Sequence, residues 1–102
     1  MDFRPLALDY DADTSTLTVA GSVDEVSGPA LRAAIEKSSD GYTKDLVVDL
    51  GDVDFLPSLG VGVLALALRH AGERGTTIEI VAVDGTVAQR VLAISGMPHR
   101  VR

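Results

Sequence analysis

The residue of this chain best placed to do chemistry is Ser58, a lone hydroxyl in the segment DFLPSLGVGVL at positions 54–64. Pro57 precedes it and an apolar run follows it. A serine at such a place could act as a nucleophile, or it could cap the helix that the following residues predict. The neighbouring residues indicate which of these two roles, nucleophile or helix cap, is better supported.

Hydrolytic and metal-dependent chemistry are both poorly supported. A serine nucleophile on an α/β sheet usually lies in G-x-S-x-G, whereas Ser58 lies in L-P-S-L-G. The histidines, His70 and His99, fall near a predicted helix end and at the chain terminus, where we expect surface or capping side chains. Asp52 and Asp54 bracket a predicted loop, but an EF-hand would need more oxygen ligands and a glycine. The chain has no cysteine, so no thiolate metal site can form, and we expect no metal site. Because no nucleophile–base pair or metal cluster is found, we also expect no enzyme activity.

A glycine motif overlaps the same segment. Residues 60–65 read G-x-G-x-x-A, and Asp84 follows about 24 residues later, a spacing loosely compatible with a ribose-binding acid. However, ten positions separate Gly60 from Leu50, where the preceding strand is predicted to end. A 102-residue chain also leaves little room for a substrate domain. We therefore expect no cofactor, and expect Gly60 and Gly62 to let a helix lie close to the sheet.

Length and charge exclude further classes of function. The 102 residues suffice for one domain, and the net charge of −6 disfavours binding to a phosphate backbone. The N-terminal MDFRPLALDY lacks the basic and apolar pattern of a signal peptide. The longest apolar run, residues 59–68, is too short to cross a bilayer. A cytoplasmic protein without nucleic-acid or membrane partners is predicted.

The hydrophobic pattern predicts an alternation of strands and helices. Alternating residues on either side of the polar DADTS predict a β-hairpin over residues 5–20. Helical spacing follows from Val26 to Ile35, with Pro29 in the first turn. Leu46–Leu50 is almost continuously apolar, as in a strand covered on both faces.

The second half of the chain continues the alternation. A helix is predicted over Ser58–Arg74 with Gly75 as its C-terminal cap, then a strand over Ile78–Val83. Thr86 should cap a third helix, and a short strand at His99–Arg102 is expected last. The predicted fold is a single α/β domain, an N-terminal hairpin followed by alternating helices and strands, with Leu46–Leu50 central in a mixed sheet covered by helices.

These segments together resemble a STAS domain, and specifically the bacterial anti-sigma factor antagonists. The likeness is carried by Val19–Asp24, Ala30-Leu31, Leu46–Leu50 and Phe55–Leu64, and it covers essentially the whole chain. It implies one STAS-type domain over residues 1–102 that lacks the usual C-terminal helix of the family.

The resemblance also implies a function. Such proteins bind a partner that is both an anti-sigma factor and a serine kinase of histidine-kinase-like ATPase type. Phosphorylation ends binding and a phosphoserine phosphatase restores it. By the family motif, Ser58 is the phosphoacceptor position and Asp24 is the acid beside it. The implied partner-binding residues are Asp24, Pro57, Ser58, Leu59 and Gly60.

Two residues depart from the family motif. Pro57 stands where the family has aspartate, and Leu59 stands where it has a second hydroxyl residue. Two alternatives therefore remain: a phosphorylation-controlled antagonist, or a STAS-type scaffold or subunit that binds its partner constitutively and uses Ser58 as a helix cap only. Leu59 could likewise either face the partner or pack inward.

Overall fold

The computed structural model describes residues 4–102, so the first three residues of the N-terminal segment lie outside the described part. Its elements alternate as the sequence pattern predicts. In chain order they are β1 (Ala7–Asp11), β2 (Thr16–Ser22), α1 (Gly28–Ser38), β3 (Leu46–Phe55), α2 (Ser58–Arg74), β4 (Ile78–Ala82), α3 (Val87–Ile94) and β5 (Arg100–Val101).

One five-stranded mixed sheet organises the domain. The strands lie in the order β1-β2-β3-β4-β5; β1 and β2 are antiparallel, and every other neighbouring pair is parallel. The prediction that the strand beginning at Leu46 is central is confirmed, as is the mixed α/β fold. Because β2 and β3 are parallel neighbours, the turns that follow them meet at one edge of the sheet.

Local signals set the helix ends as expected. The Thr86 side chain accepts a hydrogen bond from the Gln89 amide at 3.2 Å and so caps α3. Gly75 closes α2 with φ of 76°, the left-handed conformation that glycine adopts without strain. Pro29 lies in the first turn of α1. No helix of residues 4–102 has the length and apolar character to span a membrane.

The core lies between the helices and one face of the sheet. It joins fully buried residues of all three helices to alternate residues of the parallel strands. Those with almost no exposed surface include Leu31 and Ile35 of α1, Leu64 of α2, Leu92 of α3, and Leu17, Val48 and Ile80 of the strands.

Strand β3 differs from its prediction in length and burial. It continues to Phe55, and its burial alternates, so it is fully buried on the helix side only. Thr18 pairs with Asp49 but Ala20 pairs with Asp52, so β3 carries one extra residue at this point, a β-bulge. Asp52 and Asp54 are therefore strand residues, and the prediction that they bracket a loop is wrong.

Candidate functional site

The turns after β2 and β3 form an open concavity of about 620 Å³ at one edge of the sheet. We call it the Ser58 concavity. Its lining contains four of the five residues that the sequence assigned to partner binding: Asp24, Pro57, Ser58 and Leu59. Glu25, Val26 and Phe55 complete it. Residues that lie more than 30 positions apart in the chain thus share one surface.

Ser58 is the first residue of α2 and is exposed. Pro57 occupies the N-cap position, with φ −77° and ψ 174°, and has no side-chain acceptor to cap the helix. The alternative in which Ser58 serves only as the N-cap is therefore wrong, because the N-cap is the preceding residue, Pro57. The first helical hydrogen bond runs from the Val61 amide to the Pro57 carbonyl at 3.1 Å. The earlier amides of a helix have no intrahelical partner, so the positive end of the α2 dipole lies beside the Ser58 hydroxyl.

Asp24 stabilises the turn that leads into α1. Its carboxylate Oδ1 accepts hydrogen bonds from the amides of Val26 at 3.0 Å and Ser27 at 2.8 Å. In return, the Asp24 amide donates to Ser27 Oγ at 2.9 Å. These reciprocal bonds have the pattern of a capping box. Hydrogen bonding from Ser27 lowers the pKa of Asp24, because the bonds favour the charged carboxylate.

Three apolar side chains surround Ser58 on the surface. Val26 is 89% exposed, Leu59 44% and Phe55 37%. Leu59 also contacts the first turn of α1, since a Cβ on Gly28 would lie 3.2 Å from its Cδ2. Leu59 thus packs along α1 and still presents nearly half its surface, so its contact with a partner stays a prediction.

Val26 and Phe55 line the concavity although the sequence pattern did not predict them as surface residues. Helical spacing had placed Val26 on the buried side of α1, but the helix begins at Gly28, and Val26 lies in the turn before it. Pro29 was the available signal, because proline is favoured in the first turn of a helix and so marks where the helix begins.

The glycine motif lies inside α2 and forms no phosphate-binding loop. Only Leu56 and Pro57 connect β3 to the helix. The predicted strand end, ten residues before Gly60, was therefore wrong, and this separation does not argue against a dinucleotide site. Gly60 is buried, and a Cβ there would lie 2.6 Å from Leu56 Cδ1 and 3.1 Å from Val23 Cγ1. Gly60 therefore permits close packing beneath the concavity, whereas Gly62 faces open space.

Arg4 forms an ion-pair cluster on the end of β3. The sequence pattern did not predict this cluster. The Arg4 guanidinium donates to both carboxylate oxygens of Asp54 at 2.8 Å and to Asp52 Oδ2 at 3.1 Å. The Arg4 carbonyl also accepts a hydrogen bond from the Ser22 amide at 3.0 Å. Arg4 lowers the pKa of Asp54, chiefly through these hydrogen bonds, and its own pKa is raised in turn. Arg4 is thereby held beside the strand ends that carry the site.

The other candidate residues lie away from Ser58. His70 contacts the Tyr42 ring and Glu73, and His99 Nδ1 lies 2.7 Å from the Met97 carbonyl oxygen. Within residues 4–102, no group of three or more acidic, histidine or cysteine side chains could hold a metal ion. Neither histidine lines the Ser58 concavity.

Comparison with known proteins identifies the family of this chain. The family model described as "Mlab, STAS domain" matches residues 6–101. The anti-sigma-F factor antagonist RsfB from two strains of Mycobacterium tuberculosis, CDC 1551 and H37Rv, is 30% identical over 88 residues. That alignment covers 86% of this chain and 70% of RsfB.

Solved structures share the fold. The crystal structure of an anti-sigma factor antagonist from Mycobacterium paratuberculosis is 26% identical, with a TM-score of 0.74 over 94% of this chain and 84% of that one. A Thermotoga maritima structure at 14% identity has a TM-score of 0.67 over 95% of this chain and 86% of that one, a likeness of fold alone. The chain belongs to the STAS-domain family, and its relatives include anti-sigma factor antagonists.

Proposed function

We propose that this protein is an anti-sigma factor antagonist that binds an anti-sigma factor through the Ser58 concavity. The observation that carries the proposal is the exposed Ser58 hydroxyl at the start of α2, set among the apolar side chains of Val26, Phe55 and Leu59. The names of the relatives support the same assignment. The protein would act by binding, without catalysis, in the cytoplasm.

Phosphorylation of Ser58 would control this binding. A phosphate on Ser58 would face the free amides and the positive dipole end of α2, so the protein itself should tolerate the modification. The same phosphate would add a charge of roughly −1.5 to −2 to an apolar contact. A loss of ~3 kcal/mol at that contact weakens binding roughly 150-fold, which is enough for a switch. The partner would be a serine kinase of histidine-kinase-like ATPase type, and a phosphoserine phosphatase would reverse the reaction.

Each residue of the concavity would have its own part in binding. Leu59 offers exposed apolar surface, and complete burial of a leucine is worth ~1.5–3 kcal/mol; at 44% exposure only part of that gain remains. Asp24 fixes the turn that presents Val26. Gly60 would act indirectly, by letting α2 approach the turn after β2. Leu59→Ala should weaken partner binding, whereas unchanged affinity in both Leu59→Ala and Asp24→Ala would place the contact elsewhere.

The Ser58 experiment tests the switch directly. The purified protein is incubated with the candidate anti-sigma factor kinase and ATP, and modification is located by mass spectrometry. We expect phosphate on Ser58 and none on Ser95, an exposed serine at the end of α3 that serves as the matched control. Ser58→Ala should bind the partner and ignore ATP. Ser58→Asp should bind more weakly, whereas Ser95→Asp should bind as the native protein does.

A constitutive scaffold is the second candidate, and Pro57 is the residue that favours it. Proline fixes φ near −65° and has no polar side chain, so a kinase would meet a stiff loop with few groups to recognise. This candidate expects unmodified Ser58 in cells under every growth condition. It also expects equal partner binding by Ser58→Ala and Ser58→Asp.

A further inference from the structure

A second concavity, of about 410 Å³, lies between α1 and α2. We call it the interhelical groove. Its apolar lining includes Gly28 and Ala33 of α1 and Leu59 and Val63 of α2. Leu59 and Glu25 line both this groove and the Ser58 concavity, so the two form one continuous surface.

The groove has the length and walls to receive a helix. Both walls are helices, and Gly28 to Glu36 spans nine residues of α1, a rise of roughly 12 Å at 1.5 Å per step. That length matches about two turns of a helix laid alongside. The small, exposed side chain of Ala33 leaves room for it, whereas the space beside Gly28 is filled by Leu59. Among the described residues, none that lines the groove belongs to a strand, so an extended peptide would find no backbone edge to pair with there.

Acidic side chains mark both ends of the groove. Glu25 and Glu36 line it, are exposed, and take part in none of the ion pairs found among residues 4–102. Arg32 lies between them. A ligand with cationic side chains at both ends of its contact would complement this arrangement.

We propose that the interhelical groove binds an amphipathic helix of the same protein that contacts the Ser58 concavity. The apolar face of that helix packs on Leu59 and Val63, and its Lys or Arg side chains lie beside Glu25 and Glu36. This inference rests on the proposed function, because continuity through Leu59 is what assigns both surfaces to one partner. It adds a contact that extends away from the phosphoacceptor along α1.

Photo-cross-linking in cells tests the groove. p-Benzoylphenylalanine is placed in the full chain at Leu59, at Ala33 in the groove, and at Ala30 as the control. Ala30 lies on the same helix, is exposed, and lines neither concavity. We expect cross-links from positions 59 and 33 to one polypeptide and none from position 30. The segment captured by position 33 should be an amphipathic helix with basic residues on both flanks.

Affinity measurements with that purified polypeptide complete the test. Ala33→Glu should weaken binding at least 10-fold, and Ala30→Glu should change it less than twofold. Cross-linking from position 59 without any from position 33, or equal affinities of the two variants, would overturn the groove and leave the proposed function intact. Absence of cross-links at both positions would overturn both. An extended or acidic segment at position 33 would overturn the choice of a basic helix.

Discussion

At the scale of single residues, the environment of Ser58 depends most on Pro57. Because proline is the N-cap, α2 starts without a side-chain cap, and the Ser58 hydroxyl is left at the surface. The sequence correctly predicted where this helix begins. It did not predict which residue caps it, because a proline before a serine fits either assignment until the backbone angles are known.

Restoring the motif of the family should therefore favour phosphorylation. Pro57→Asp with Leu59→Ser supplies an acidic handle and a second hydroxyl, and Asp is among the preferred N-cap residues. We expect faster transfer of phosphate to Ser58 by a cognate anti-sigma factor kinase, measured by phosphate incorporation over time. A rate equal to that of the native protein would show that Pro57 does not limit recognition.

Asp24 should stabilise the folded protein even though its side chain is exposed. Asp24→Ala removes the two amide hydrogen bonds of the capping box, so we expect a lower urea midpoint of unfolding. The lowered pKa sets the pH range: the native carboxylate is stabilising above the unfolded value near 4 and loses that effect as pH falls through its folded pKa. The difference between native and variant should therefore shrink in acid. Glu25→Ala, at the neighbouring exposed position, should change the midpoint little.

At the scale of elements, the sequence predicted the order of strands and helices but not the full length of β3. The apolar run Leu46–Leu50 has an unambiguous pattern, whereas Asp52 and Asp54 led to the prediction of a loop. The β-bulge after Asp49 explains the error. One extra residue shifts the side-chain alternation, so Val53 is buried while Asp52 and Asp54 face Arg4. Pairing with β2, which a single segment cannot reveal, keeps these residues in the strand.

Two glycines of α2 provide a matched pair of substitutions that tests how closely this helix packs against the turn after β2. Gly60→Ala would place a methyl group 2.6 Å from Leu56, which is itself buried and unable to move freely. We expect a loss of ~1–3 kcal/mol in the free energy of unfolding. Gly62→Ala meets open space and should gain roughly 0.5–1 kcal/mol from helix propensity. Urea unfolding measures both, and equal effects of the two substitutions would contradict the packing described for Gly60.

At the scale of the whole molecule, the helices and the arginine ion pairs of the strands occupy different sides of the sheet. The apolar core lies against the helices, while Arg4, Arg100 and Arg102 pair with Asp52 and Asp54, Glu79, and Asp49 of the strands. These partners lie 21 to 53 positions apart in the chain, so periodicity could not predict them. The turns that form the Ser58 concavity could be predicted, because parallel neighbouring strands must end at the same edge.

This arrangement predicts how the molecule unfolds in acid. Lowering the pH from 7 towards the isoelectric point near 4.6 removes the repulsion of the net charge of −6, so stability should hold or rise slightly. Below about pH 4, stability should fall, because the folded carboxylates of Asp24 and Asp54 have lowered pKa values and bind fewer protons than the unfolded chain does.

Arg4→Gln tests the contribution of the Arg4 ion pairs, including the one with Asp54, to that fall. The variant should be less stable than the native protein near pH 6, and the gap should close as Asp54 becomes protonated, because only the charged carboxylate gains from Arg4. Arg69→Gln makes the same change of charge at an exposed position of α2 that joins none of the ion pairs in residues 4–102. Urea midpoints from pH 7 to pH 2.5 compare the three proteins. A gap for Arg4→Gln that stays constant across this range, or that matches the gap for Arg69→Gln, would show that the ion pair between Arg4 and Asp54 does not stabilise the fold.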